Sequence, residues 1–375
     1  MKCVRCNNEV EELFYKGSKG YYCRKCIKFK RRLLEDDIDQ LDITINEASE
    51  EVFLNYSLSP QQQKISDQLA KLAINEDVIL YCVCGAGKTE ISLKTISCYL
   101  KQKKTVCYAI SRRQVVVEIG IRLQEIFKKA KVVYVCGGHT SEVVGDIVVC
   151  TCHQLYRYEK TFDLIVLDEC DAFPFKGNEV LGAIVNNACR GHIVYSSATI
   201  DNFLEEKIAS GVKVLRLTKR YHNYPLPVPK QIYGIKIYLY CYLYYFLKRT
   251  SRQTIIFLPT IKLCNNFYRL FSNFFYCYQV TSKTENKDQI ISDFKDKKAD
   301  VIFATTILER GVTFKAIDVC IIYPEHYVFD KASLIQMSGR VGRKIDAPYG
   351  EVLFLQNQYS KNCQDCILEL EACNE

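Results

Sequence analysis

Two cysteine pairs open the chain, Cys3-x-x-Cys6 and Cys23-x-x-Cys26, with sixteen residues between them. Each pair at this spacing can wrap one side of a tetrahedral ion, and two pairs complete a four-thiolate shell. Zinc suits such a closed shell better than an iron–sulfur cluster, and four protein ligands leave no position open for water, so its role would be structural. Gly17 and Gly20 suit a turn between the pairs. A head this short builds little core, so metal binding would supply its folding free energy. Four unligated thiols are the plain alternative. The other sixteen cysteines, Cys363-x-x-Cys366 included, read mostly as small apolar residues of strands and helices.

Cys82-Val83-Cys84-Gly85-Ala86-Gly87-Lys88-Thr89 follows an apolar run and precedes a helical pattern, the context that a phosphate-binding loop requires. Gly85 and Gly87 would turn backbone N–H groups onto phosphates, with Ala86 between them, and the helix N-terminus adds a favourable dipole. Lys88 would reach the β- and γ-phosphates, and Thr89 would ligate Mg²⁺. Cys82 stands where such loops usually begin with glycine. Leu164-Ile165-Val166-Leu167-Asp168-Glu169-Cys170-Asp171 puts two carboxylates at the end of an apolar strand. Asp168 would hold Mg²⁺, through water, and Glu169 would orient and deprotonate an attacking water. Alone, such a strand end is an ordinary solvated turn; beside a phosphate loop it reads as the second half of an ATP site.

Three further segments complete the constellation: Ser197-Ala198-Thr199, the run from Thr305 and Thr306 to Glu309-Arg310-Gly311-Val312-Thr313, and Gln336-Met337-Ser338-Gly339-Arg340-Val341-Gly342-Arg343. The last is expected at a helix start, with Arg340 and Arg343 at i, i+3 on one helical face. Two guanidinium groups there suit the charge of a γ-phosphate in the transition state. A surface turn is the alternative.

These groups need elements to carry them. Short apolar runs alternate with helical stretches: Val78–Val83, Thr105–Ile110, Val132–Val135, Ile147–Cys150, Leu164–Leu167 and Ile193–Tyr195 read as buried parallel strands. A second series follows near Thr254–Leu258, Val301–Ala304, Val319–Tyr323 and Val352–Leu355. The organisation expected is a four-cysteine module at 1–32, an acidic linker at 33–55, an α/β ATP-binding domain at 56–218, a proline-rich linker at 219–230 and a second α/β domain at 231–375. The net charge of +8 is uneven: residues 1–32 hold ten basic and three acidic residues, and 33–55 hold eight acidic and no basic ones. Basic head and body suggest a polyanionic partner. The acidic stretch is expected to hold the head apart from the body. The longest mostly apolar run, Ile237 to Leu247, is too short to span a bilayer, and the start lacks the apolar stretch of a secretory signal, so reduced cysteines in a cytosolic protein are expected.

The order of these motifs resembles superfamily-two helicases, with Leu58-Ser59-Pro60-Gln61-Gln62 ahead of the phosphate loop. The cysteine head, Thr151-Cys152-His153-Gln154-Leu155, Asp168-Glu169-Cys170-Asp171-Ala172-Phe173-Pro174, Arg220-Tyr221-His222 and Pro225-Leu226-Pro227-Val228-Pro229 narrow the resemblance to the ComFA family of late competence ATPases. The resemblance implies two tandem RecA-like domains with parallel sheets, ATP between them, and a DNA-stimulated ATPase that drives single-stranded DNA through a ComEC-type channel at the inner membrane face. It implies ComFC and DprA as partners, and a cytoplasmic protein peripheral to the membrane; a homo-oligomer stays open. By the same resemblance Gln62 recognises adenine, Gly311 joins the nucleotide-binding set, Gln336 acts with the catalytic arginines, and Ser197 and Thr199 couple hydrolysis to domain movement. Thr151, Gln154, Thr305 and Thr306 face DNA. A general DNA or RNA helicase and an ATP-gated DNA-binding scaffold of the uptake machinery remain alternatives.

Overall fold

The five residues Val78 to Cys82, like Val106 to Ile110, contain no exposed position, because parallel strands are covered on both faces. Burying each Val, Leu or Ile side chain there stabilises the sheet by about 1.5–3 kcal/mol. The computed structural model describes residues 1–35, 41, 43 and 52–375. It forms two compact units: residues 1–82 with 87–217, and residues 218–375 with 83–86.

In the first unit a hairpin of β1 (Phe14–Gly17) and β2 (Gly20–Cys23) precedes α1 (Pro60–Leu72), β3 (Val78–Cys82), α2 (Lys88–Lys101), β4 (Val106–Ile110), α3 (Arg113–Ile126), β5 (Val132–Val135) and β6 (Ile147–Thr151). A 3-10 turn Cys152–Arg157 leads to β7 (Phe162–Asp168), α4 (Glu179–Ala188), β8 (Cys189–Ser197), α5 (Asn202–Ala209) and β9 (Lys213–Leu217). The seven-stranded sheet is parallel throughout, in the order β5-β6-β4-β7-β8-β3-β9. Its register pairs Tyr81 with Ser197 and Asp168 with Ser196, so the phosphate loop, the acidic pair and Ser197-Ala198-Thr199 leave the sheet at one level of its carboxyl edge.

The second unit runs β10 (Lys230–Tyr233), α6 (Lys236–Arg249), β11 (Gln253–Phe257), α7 (Ile261–Phe271), β12 (Cys277–Val280), α8 (Lys287–Lys295), β13 (Val301–Ala304), β14 (Ile317–Ile322), α9 (Lys331–Ser338), β15 (Val352–Gln356) and α10 (Lys361–Asn374). Its six strands are also all parallel, in the order β10-β15-β14-β11-β13-β12. Both units are therefore RecA-like α/β layers, as the motifs imply.

The strands that the sequence reading passes over in these sheets, β9, β10 and β12, all lie at sheet edges. Each carries exposed or half-buried positions, so none shows the continuous apolar run of a central strand. The apolar run Ile237 to Leu247 lies in α6, which buries Leu239, Leu243, Phe246 and Leu247 and exposes Tyr238 and Tyr245. Among the described residues no helix is long and apolar enough to cross a membrane. Most of the expected acidic linker at 33–55 lies outside the described residues.

Candidate functional site

The turn from β3 into α2 depends on two left-handed glycines, Gly85 at φ +83° and Gly87 at φ +84°. A Cβ on Gly87 would also lie 2.5 Å from Nε2 of Gln62, so only glycine fits there. Ala86 is buried, and its N–H bonds back to the Val83 carbonyl at 3.1 Å. Gln62 is placed by a capping box: Ser59 Oγ accepts from the Gln62 N–H at 3.3 Å, and Gln62 Oε1 accepts from the Ser59 N–H at 2.9 Å, with Pro60 opening α1. Cys82 is the last residue of β3 and fully buried; burial pushes its thiol up to about 12, which keeps it neutral beside Lys88.

Lys88 and Thr89 open α2, and Asp168 ends β7. Lys88 Nζ stands 4.0 Å from Asp168 Oδ1. The carboxylate of Asp168 is held from three sides. Tyr108 Oη donates to Oδ2 at 3.0 Å, Ser196 Oγ donates to Oδ1 at 3.0 Å, and the Glu169 N–H donates to Oδ1 at 3.0 Å. With the Tyr108 proton engaged, Thr89 Oγ1 donates to Tyr108 Oη at 3.3 Å, which ties the loop threonine to the acidic strand. Tyr108 is wholly buried; burial, and then the Asp168 charge, push its hydroxyl well above the usual tyrosine range, so it remains a donor. Neither Tyr108 nor Ser196 was found from the sequence. A hydroxyl inside an otherwise apolar buried strand is the signal that could have found Tyr108.

Glu169 takes a left-handed backbone at φ +55°, unusual for a residue with a side chain, just where the strand ends. Two residues on, Asp171 Oδ2 accepts from Thr199 Oγ1 at 2.7 Å, and Ser197 Oγ donates to the Thr199 carbonyl at 2.5 Å. The acidic motif and Ser197-Ala198-Thr199 are thus joined by a buried bond. Thr151 ends β6, and the next turn carries Gln154, whose Oε1 accepts from Arg157 Nε at 2.7 Å. These groups can hold a nucleoside triphosphate with Mg²⁺: a lysine and glycine loop for phosphate, a hydroxyl and a fixed carboxylate for the cation, and a second carboxylate for water.

In the second unit Thr305 and Thr306 follow β13, half-buried, and Gly311 adopts φ +85°. Gln336 lies buried in α9. Arg340 and Arg343 are not on a helical face at a helix start, as the spacing suggests. The helix α9 ends at Ser338, Gly339 caps it, Arg340 lies in the turn that follows and Arg343 comes just after that turn. The turn exists because Gly342 takes φ +67° and a Cβ there would collide with the Pro348 carbonyl. It exists also because Arg220, 1% exposed, gathers its carbonyls: Nη1 donates to Val341 at 2.8 Å and Gly342 at 2.7 Å, and Nη2 to Gly339 at 3.0 Å. His222 adds a bond to Gly342 at 3.0 Å. The buried guanidinium thus pairs carbonyls of the cap and the turn that burial would otherwise leave without a donor. Burial, then repulsion from Arg343, lower Arg220 to about 10. Arg340 Nε bonds to the Glu309 carbonyl at 3.1 Å, and Arg310 Nε to Glu309 Oε1 at 3.2 Å, so the Thr305–Thr313 run and the arginine turn are one structure. The part played by Arg220 has no counterpart in local spacing, since it lies more than a hundred residues from the turn it holds.

The four cysteines of the head converge. Cys3 and Cys26 sulfurs are 3.7 Å apart, as are those of Cys6 and Cys23, and all four lie within 4.8 Å of one another. Sulfurs about 2.3 Å from a tetrahedral zinc stand about 3.8 Å apart, so the set fits the ion. Turns shape the shell: the Asn7 N–H bonds to the Cys3 carbonyl at 2.8 Å, and Gly17 pairs with Gly20 across the hairpin. Cys363 and Cys366 are buried one turn apart on α10 and belong to no such cluster among the described residues.

The head is not held apart from the body. Its four cysteines and Phe29 belong to the same apolar cluster as the core of the first unit. Phe29 stacks on His153 at 5.8 Å and touches Tyr156 at 6.3 Å, and Arg5 lies over Tyr156 at 5.7 Å. Asn187 Nδ2 donates to the Arg5 carbonyl at 2.8 Å, and Arg32 pairs with Glu159. The reading of the acidic stretch as a separator weighed charge along the chain; apolar contact from Phe29 decides otherwise.

Both units are similar to known proteins. Residues 59–206 match the DEAD/DEAH box helicase family, and residues 236–344 match the helicase conserved C-terminal domain. The chain is 31% identical over its whole length to the competence protein ComFA of Streptococcus pneumoniae, covering 90% of it. It is 28% identical to the Bacillus subtilis protein of the same name, covering 86% of it. The structure of S. cerevisiae Dbp5 bound to RNA and ADP BeF3 superposes with a TM-score of 0.63 at 18% identity, covering 84% of this chain and 92% of that one. RecG bound to a three-way DNA junction gives 0.61 at 16% identity, covering 87% of this chain and 49% of that one.

Proposed function

This chain belongs to the ComFA family of superfamily-two helicase-like proteins, and we propose that it hydrolyses ATP to move along single-stranded DNA during competence. It is an ATP-using, helicase-family protein of a competence-associated family. The observation that supports the finer reading is the clamped Asp168, held by Tyr108, Ser196 and its own chain within 4.0 Å of Lys88.

The proposed division of labour follows from the groups. Lys88 and the loop N–H groups bind phosphate, and Gln62 reads the adenine. Thr89 and Asp168 hold Mg²⁺, which when bound with ATP draws charge from the phosphate oxygens. Glu169 accepts the proton of the attacking water. Arg340 and Arg343 supply positive charge to the γ-phosphate in the transition state, and Gln336 acts beside them through its neutral amide. The Asp171–Thr199 bond passes a change at the acidic motif to Ser197-Ala198-Thr199. Thr151, Gln154, Thr305 and Thr306 meet the strand, and lysines and arginines track its backbone. We assign zinc to Cys3, Cys6, Cys23 and Cys26. A ComEC-type channel, ComFC and DprA are the partners this reading carries, at the inner face of the membrane.

The test is ATPase activity with single-stranded DNA, double-stranded DNA, RNA or no nucleic acid, followed by triplex displacement. Stimulation by single-stranded DNA with displacement supports a motor. Stimulation without displacement favours an ATP-gated scaffold, and preference for duplex or RNA favours a general helicase.

A further inference from the structure

We propose that the outer face of the zinc hairpin is a second binding site for single-stranded DNA, on which unpaired bases stack. The proposal rests on the translocase reading. Across β1 and β2 the register pairs Tyr15 with Tyr22, and their rings lie 5.5 Å apart. Arg24 covers Tyr15 at 4.5 Å, and Arg31 covers Tyr22 at 4.3 Å. The result is a ring pair flanked by guanidinium groups: Arg24, Tyr15, Tyr22, Arg31. Arg24, Arg31 and Tyr15 are exposed, as are Lys16 and Lys28 nearby.

Tyr15 is exposed and Tyr22 half-buried, and the guanidinium groups beside them carry charge that a polyanion would neutralise. Their chemistry selects the occupant. Aromatic rings offer flat faces to any base, guanidinium planes stack on bases and pair with phosphates, and neither demands a sequence. Duplex DNA hides its base faces, so the complement is an unpaired strand. The head also carries ten basic and three acidic residues in its first 32 positions, which favours a polyanion. Continuity supports the same occupant. Arg31 is two residues beyond Phe29, which stacks on His153 in the turn that carries Gln154 and follows Thr151. A strand bound at that turn has the hairpin within reach as its next contact.

The experiment measures affinity of the full-length protein for fluorescent oligo(dT) of increasing length, without nucleotide and at one salt concentration. Tyr15→Ala with Tyr22→Ala should weaken binding about ten-fold or more for oligonucleotides long enough to reach the head, and leave the shortest bound ones unchanged. Tyr15→Phe with Tyr22→Phe should restore the wild-type length dependence, since the ring faces remain. A strand carrying 4-thiothymidine should cross-link to residues 14–31 in the wild type and lose that product in the alanine pair. Zinc at one per chain and unchanged basal ATPase show that the fold is kept; if the alanine pair loses zinc, Arg24→Gln with Arg31→Gln carries the test instead. Equal affinity at every length, with no cross-link to 14–31, overturns the inference. When the wild type still hydrolyses ATP faster on single-stranded DNA, that result leaves the translocase reading standing; a wild type indifferent to single-stranded DNA overturns the translocase reading itself.

Discussion

The two RecA-like units share an architecture and differ in what stands at the ends of their strands. The first opens α2 with Lys88 and ends β7 in Asp168, with Glu169 next. The second holds arginines: Arg340 on the Glu309 carbonyl, Arg343 on Gly339, and Arg220 beneath the turn. A carboxyl edge is therefore a neutral platform, and the few loop residues placed on it decide whether it offers anions to a cation or cations to a phosphate. The charge also differs in how it is kept. Asp168 is fixed by hydroxyl and amide donors, whereas Arg220 is fixed by carbonyls, each the complement of the group it holds.

The sharpest way to break this contrast is in the first unit. Lys88→Ala and Glu169→Gln should each lower turnover by about a thousand-fold or more, with only Glu169→Gln keeping tight ATP binding in equilibrium titrations. Near-normal turnover in either would remove the first unit from the chemistry. The second unit is tested by Arg340→Ala and Arg343→Ala, which should cost DNA-stimulated turnover by roughly a thousand-fold while ATP affinity changes only a few-fold. Loss of affinity instead would make these arginines binding groups. Tyr108→Phe sharpens the proposed assignment of Asp168: if this carboxylate holds the cation, removing one of its donors should raise the Mg²⁺ requirement by about 10- to 100-fold, read from ATPase against magnesium concentration.

Smaller effects are expected from the head. Cys23→Ser with Cys26→Ser should abolish zinc by mass spectrometry. Because Phe29 packs into the first unit, the loss should lower the unfolding midpoint of that unit alone, by about 2–4 °C for each kcal/mol of docking forfeited. A midpoint unmoved by zinc loss would show that the head merely rests on the core. Basal ATPase below the lowered midpoint should survive. Lys25→Ala, which breaks an exposed ion pair with Glu179 at 2.9 Å, should leave zinc content and midpoint unchanged.

Much of the site was legible before any coordinates. The phosphate loop is a local event: glycines that accept positive φ, a lysine, and a helix start, all within eight residues. The central strands were legible because burial on both faces writes an unbroken apolar run. The edge strands β9, β10 and β12 were not, since a half-covered strand keeps polar positions and loses that signature. Arg340 and Arg343 were read as functional from their motif, yet their turn was misread as helix. Helical spacing is compatible with many conformations, and the choice was made by Gly342 and by Arg220 from far along the chain.

What the sequence by itself determined is what neighbouring residues can settle among themselves: the cysteine knuckles, the loop that turns on Gly85 and Gly87, the capping box at Ser59 and Gln62, and the alternation that makes two parallel sheets. Only the tertiary structure decided that Tyr108 and Ser196 clamp Asp168, that Arg220 holds the arginine turn, and that the head docks through Phe29 on the Cys152–Arg157 turn. These contacts join residues tens to hundreds of positions apart. Their closure is governed by how whole elements pack and exclude water, which no local spacing encodes.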